Sequence, residues 1–163
     1  MDATEITTLV ARLMVKTFYG HTMGEVLTLA VALERGVDEV IASQLGGSQW
    51  AQQALSDQLL GHVPRDQKAK ILQAILRHLD DPDAESTAAA VNGVYKLRDR
   101  LAHSALVADG LDDQGWTVET RRRGVERSHH IPVDEVTKIV ENGQSALASL
   151  LALLEESQLD GPA

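Results

Sequence analysis

The chain has no cysteine, and among its 163 residues it has only one phenylalanine, two tyrosines, two tryptophans and four prolines. Without thiols there are no disulfides and no thiolate metal sites, and a reducing compartment is compatible with the sequence. Scarce aromatics argue against a sheet sandwich or an aromatic ligand cage. The 44% hydrophobic content is dominated by Leu, Ala and Val, which favours packed helices. No apolar run approaches the roughly 20 residues that a membrane helix needs, and Met1-Asp2-Ala3-Thr4-Glu5 lacks the basic segment that opens a secretory leader. A soluble, cytoplasmic protein without a membrane partner is expected. Cations are in short supply too: 15 Lys and Arg face 24 Asp and Glu, a formal net charge of -9. Because affinity for phosphates comes mainly from basic clusters, this balance argues against passive coating of nucleic acid, and any RNA contact must be local.

The length suits one domain, expected over residues 1–157 with a frayed polar tail at 158–163. The fold class is mainly α: a four- or five-helix bundle with a small antiparallel β ribbon inserted before the last helix. Ile6, Leu9, Val10, Leu13 and Met14 recur at helical spacing, which predicts a helix from about Thr4 to about Tyr19. Thr22-Met23-Gly24-Glu25 has capping-box spacing ahead of Val26, Leu29, Leu33, Val37 and Ile41, so a second helix follows or the first continues. Gly36 is a possible break in it. Ser48 can cap a short helix, and Pro64 suits the first turn of the next, which carries Leu72, Ile75 and Leu76 and is closed by Asp80-Asp81-Pro82-Asp83. A further helix runs from about Ala84 to about His103. Beyond it the alternation in Trp116 to Thr120 and the glycines at 110, 115 and 124 read as the ribbon, with Trp116 as its anchor. Val136 to Leu154 form the last apolar stripe, where Gly143 and Ala146 would let another helix approach closely and, with the Ala-rich motif helix, offer close-packing faces for a homodimer.

The polar chemistry concentrates in Val94-Tyr95-Lys96-Leu97-Arg98-Asp99-Arg100-Leu101-Ala102-His103-Ser104. Helical spacing sets Arg98 in line with Val91, Val94, Tyr95, Leu101 and Ala102, so it is expected to be mostly buried and matched by an acid, an anion or a partner chain. Two outcomes stay open: a ligand site, or a structural ion pair with an acid such as Glu25 or Glu34. Asp99 and His103 are four apart and stack on one face, an arrangement that favours the imidazolium. Arg98 and His103 themselves are five apart and on an ideal helix diverge by about 140°. They converge if the helix ends before His103, or if two motif helices meet across a two-fold axis.

Arg98-Asp99-Arg100-Leu101-Ala102-His103-Ser104 resembles the signature of the HEPN superfamily, in which an Arg is followed by a polar residue, a few further residues and a His. The resemblance implies a small helical bundle, commonly a homodimer, and a metal-independent endoribonuclease without cofactor, in a toxin or phage-defence setting with an antitoxin or nucleotidyltransferase-like partner. Arg98 and His103 are then the functional pair and Asp99 the polar residue beside the Arg. The simplest chemistry is attack of an RNA 2'-hydroxyl on its own adjacent phosphate, with His103 moving the proton and Arg98 meeting the phosphoryl charge. Arg100 and the basic run Arg121, Arg122 and Arg123 are candidate RNA contacts, against the plainer reading of a solvated rim. The alternative function is a non-catalytic binding or assembly module that organises a dimer or senses a nucleotide or RNA. No metal site is expected: His129 and His130 point to opposite faces of a strand, and His21, His62 and His78 are isolated.

Overall fold

A computed structural model describes residues 3–102, 104–112, 115–122 and 125–159, with side chains described from Thr22 onward except at 104–112, 115, 116, 118, 120–122, 125–127, 158 and 159. The protein is mainly α-helical. Helix α1 (Ala3–Leu45) is followed by the short α2 (Gln49–Ala54), α3 (Arg65–His78) and α4 (Ala84–Ala102), then strands β1 (Ser104–Asp112), β2 (Gly115–Arg122) and β3 (Val125–Pro132), and finally α5 (Val133–Leu159).

Of the two arrangements left open at the N-terminus, the continuous one is found: a single element of 43 residues. Gly20 does not end it, and the capping-box spacing at Thr22 lies inside it. Gly36 does not break it either, because that glycine is buried against α5. A Cβ there would sit 3.6 Å from Leu147 and Leu150 side-chain carbons, an ordinary contact. From Val26 onward the buried positions Leu29, Leu33, Val37, Val40 and Ile41 repeat every three or four residues, so one stripe of α1 faces the interior along its length. Leu72, Ile75 and Leu76 of α3, Val91 and Val94 of α4, and Ala146 and Leu150 of α5 complete that core.

Local signals account for the joints. Ser48 has extended backbone and its hydroxyl accepts from the Ala51 amide at 3.3 Å, which caps α2. The chain then widens into a π turn at Leu55–Leu59 and tightens into a 3₁₀ turn at Leu60–His62, so the short helix that Ser48 caps is six residues long. Past α3 the backbone reverses at Asp80, which takes a φ of 55°. An Asp tolerates this left-handed conformation better than most residues. The Asp80 and Asp81 amides donate to the Arg77 and Leu76 carbonyls and close the helix end.

The strands form one antiparallel sheet in the order β1-β2-β3. The sheet meets the helices at Ile131 of β3, among other contacts; Ile131 is buried with Val26, Leu97, Leu101 and Val136 in a second, smaller core. The side chain of Trp116, the expected anchor, lies outside the described residues; Trp116 pairs with Ile131 in the sheet register. Helix α5 runs on to Leu159, two residues into the stretch expected to be a polar tail. Among the described residues no helix is long and apolar enough to cross a membrane.

Candidate functional site

Helix α4 buries Val91, Val94, Tyr95, Leu97 and Leu101, which rotates Arg98 to the edge of the buried face. Its side chain is 30% exposed, so the guanidinium is mostly covered, as expected, but it keeps an edge in solvent. The physical reason is angular: the buried face centres between Val94 and Leu101, and Leu97, which was not placed on the stripe, occupies the interior. The expected acidic partner is present but is the next residue along: Arg98 Nη1 donates to Asp99 Oδ1 at 2.9 Å. Asp99 Oδ1 also lies 3.7 Å from Nη1 of Arg65 on α3.

From Arg65 the polar contacts continue inward. Arg65 donates from Nε and Nη2 to Glu34 Oε2 at 3.0 and 2.9 Å, so Glu34 of α1 serves α3 and is not the partner of Arg98. Beyond it Lys68, whose side chain is only 2% exposed, donates to Asp38 Oδ2 at 2.7 Å and stands 3.5 Å from Glu34 Oε1. An ammonium at such depth persists only when anions meet it, and here two carboxylates do. Tyr95 lies beside this group. Burial first, then the Glu34 and Asp38 carboxylates, push its phenol far above the ordinary range, with Arg65 opposing. Tyr95 Oη and Asp38 Oδ1 are both buried without a hydrogen-bond partner among the described residues. Three helices thus deliver Glu34 and Asp38, Arg65 and Lys68, and Tyr95, Arg98 and Asp99 to one polar seam.

The sequence reading missed Glu34 as a partner of α3, and Asp38, Arg65, Lys68 and Tyr95 as members of the seam. A signal existed for Lys68: it is four residues before Leu72 and seven before Ile75, on the apolar stripe of α3. A charge on such a stripe calls for a buried counter-charge. Glu34 and Asp38, four apart on α1, form a matching pair of acids.

The other expected site residues are dispersed. Arg100 is 53% exposed and lies 3.5 Å from Glu135 on α5, a surface pair. His103 lies outside the described residues; α4 ends at Ala102 and β1 begins at Ser104 on either side of it. The side chains of Arg121 and Arg122 also lie outside the described residues, as does all of Arg123. In the backbone register Arg121 faces Glu126 and Arg122 faces Val125. His129 and His130 are exposed on β3. A groove of about 550 Å³ between α4 and α5 is lined by Ser86, Ala90, Gly93, Asn142 and Ser145 among others, and it contains none of the seam residues.

Gly143 and Ala146, expected to receive a second chain, are used within this one. Ala146 is part of the core, and a Cβ at Gly143 would lie 2.5 Å from Val94 Cγ2 and 2.9 Å from Leu29 Cδ2. The helices that approach there are α4 and α1. Comparison of the chain with protein-family models, with curated proteins and with solved structures finds no match.

Proposed function

We propose that this chain is a HEPN-like, metal-independent endoribonuclease of the cytoplasm, a helical bundle with a β ribbon before its last helix, working as a homodimer in a toxin–antitoxin or phage-defence setting. The observation that carries the reading is the end of α4. Arg98 is reachable from solvent, is oriented by Asp99, and lies one turn before Ala102, the last residue of the helix. A continuous helix would set Arg98 and His103 about 140° apart, and α4 ends at Ala102. Support for a dimer through the motif helix now comes from the open groove beside Ala90 and Gly93 of α4, where small residues would allow a close approach.

In this mechanism the 2'-hydroxyl attacks its adjacent phosphorus and gives up its proton. The bond to the 5'-oxygen breaks, and that oxygen takes a proton. His103 exchanges these protons, while Arg98 stabilises the charge on the non-bridging oxygens. The products are a 2',3'-cyclic phosphate and a 5'-hydroxyl. The test is a labelled-RNA assay of wild type, His103→Ala and Arg98→Lys with a chelator control, run on a preparation whose mass by light scattering is that of a dimer. Each variant should fold and lose activity by at least about 10²-fold, and chelator should have no effect. Cleavage that survives His103→Ala or requires a divalent ion rejects the mechanism, and a monomeric wild type rejects the dimer.

A second reading, a non-catalytic binding or assembly module, is favoured by the ion pairs themselves. Arg98 and Arg65 already have carboxylate partners, and the net charge of -9 opposes a polyanion. A wild type that binds RNA or a nucleotide without cutting any of a varied set of RNAs selects it.

A further inference from the structure

Arg65 and Arg98 are 33 positions apart in the chain and belong to different helices, yet their Nη1 atoms stand 3.7 and 2.9 Å from the same oxygen, Asp99 Oδ1. Two guanidinium groups brought this close repel one another unless an anion lies between them. Arg65 is fixed from behind by two hydrogen bonds from Nε and Nη2 to Glu34, an arrangement that turns Nη1 toward Asp99. Both arginine side chains are about one-third exposed, and Asp99, at 50%, is the most accessible member of the trio. The anion at the centre is therefore the member with most room to move aside, and Arg65 stays anchored by Glu34 when it does.

We infer that Arg65 joins Arg98 in a two-arginine clamp for one phosphodiester of single-stranded RNA, and that the Asp99 carboxylate holds the place of that phosphate until RNA arrives. The choice of RNA rests on the nuclease reading above; the clamp rests on the shared oxygen. Arginine suits the task because its planar fork pairs two donors with two phosphate oxygens, and it never loses its charge. Single-stranded RNA is the form whose backbone can bend to present one phosphate to two converging groups.

The experiment is fluorescence anisotropy with a labelled single-stranded RNA carrying 2'-O-methyl riboses, which cannot be cut through the 2'-oxygen, titrated over a series of salt concentrations. Arg65→Gln should weaken binding about tenfold and lower the slope of log affinity against log salt by about 0.7, the share of one phosphate contact on a single strand. Asp99→Asn should bind more tightly than wild type. Arg65→Lys keeps the charge and a partner for Glu34, and should keep the slope while binding more weakly. If Arg65→Gln does not fold, Arg65→Lys and Asp99→Asn decide the matter. Wild-type affinity in either Arg65 variant, no tightening in Asp99→Asn, or no binding by the wild type overturns the clamp. Cleavage of unmodified RNA is scored separately: cutting that is indifferent to Arg65 leaves the nuclease standing without the clamp, whereas Arg65-dependent binding without cutting leaves the clamp without the nuclease.

Discussion

At the scale of single residues, Tyr95 joins burial, charge and pH. Its ring packs in the core of α4, but its hydroxyl reaches a carboxylate-rich place without a hydrogen-bond partner among the described residues. Leaving a buried hydroxyl unpaired costs about 1–3 kcal/mol, so removing it should be cheap. Tyr95→Phe is expected to be neutral at pH 7 or to stabilise by up to about 1 kcal/mol in a denaturant titration; a larger loss would show that the hydroxyl has a partner in solution. The raised phenol also gives a direction with pH. An unfolded tyrosine ionises near pH 10, about where the folded chain still keeps its proton. The stability that comes from holding Tyr95 neutral is complete below that pH and is lost as pH rises above it, because only the unfolded chain releases the proton. Wild type should lose up to about 1.4 kcal/mol per pH unit above pH 10 through this residue, and Tyr95→Phe should lack that component. Tyrosinate absorbance recorded beside unfolding checks it, and a Tyr95 that ionises in the folded chain near pH 10 contradicts it.

At the scale of elements, two glycines in long helices behave in opposite ways because of what surrounds them. Among the described residues nothing lies within 4 Å of a Cβ built at Gly24 of α1, whereas one at Gly143 of α5 collides with Val94 and Leu29. Gly24→Ala should stabilise by up to about 1 kcal/mol, the helix preference of Ala over Gly. At Gly143 the same preference is outweighed by overpacking, which typically costs about 1–3 kcal/mol and here must move the side chains of Val94 on α4 and Leu29 on α1. Thermal melts of the two variants should therefore move in opposite directions, and a more stable Gly143→Ala would mean that these helices are not held as close as the structure has them. The spacing in the sequence made Gly143 legible as a place of close approach. It did not say which helix approaches, and the dimer argument built on it fails because both neighbours come from the same chain.

At the scale of the whole molecule, the helices and the sheet meet in a small core separate from the main one. Ile131 is 1% exposed there, between Val26 of α1, Leu97 and Leu101 of α4, and Val136 of α5. Those α4 residues form the last turns before the end of the motif helix. Ile131→Ala should cost about 2–5 kcal/mol, the range for emptying a large aliphatic position in a packed core. Amide hydrogen exchange should show the loss spreading into β2, β3 and the end of α4, since a shared core couples what it joins. Faster exchange confined to β3 would mean that the sheet is only loosely attached and does not set the position of the motif.

What the sequence determined by itself is whatever depends on neighbours three or four residues away. The apolar stripes of α1, α3, α4 and α5, the Ser48 cap and the mainly helical class are all of this kind, because helical period and capping are local physics. Whether the first helix continues past Tyr19 stayed open for the same reason in reverse: a glycine such as Gly20 weakens a helix by an amount that its surroundings can outweigh. Arg98, Asp99 and Arg100 were legible as a concentration of charge, but their partners were not. Lys68 finds Asp38 from 30 positions away and Arg65 finds Glu34 from 31, distances at which no periodicity operates. Only the packing of α1, α3 and α4 decided which carboxylate met which cation, because a charge leaving water takes the counter-charge that the fold brings within reach.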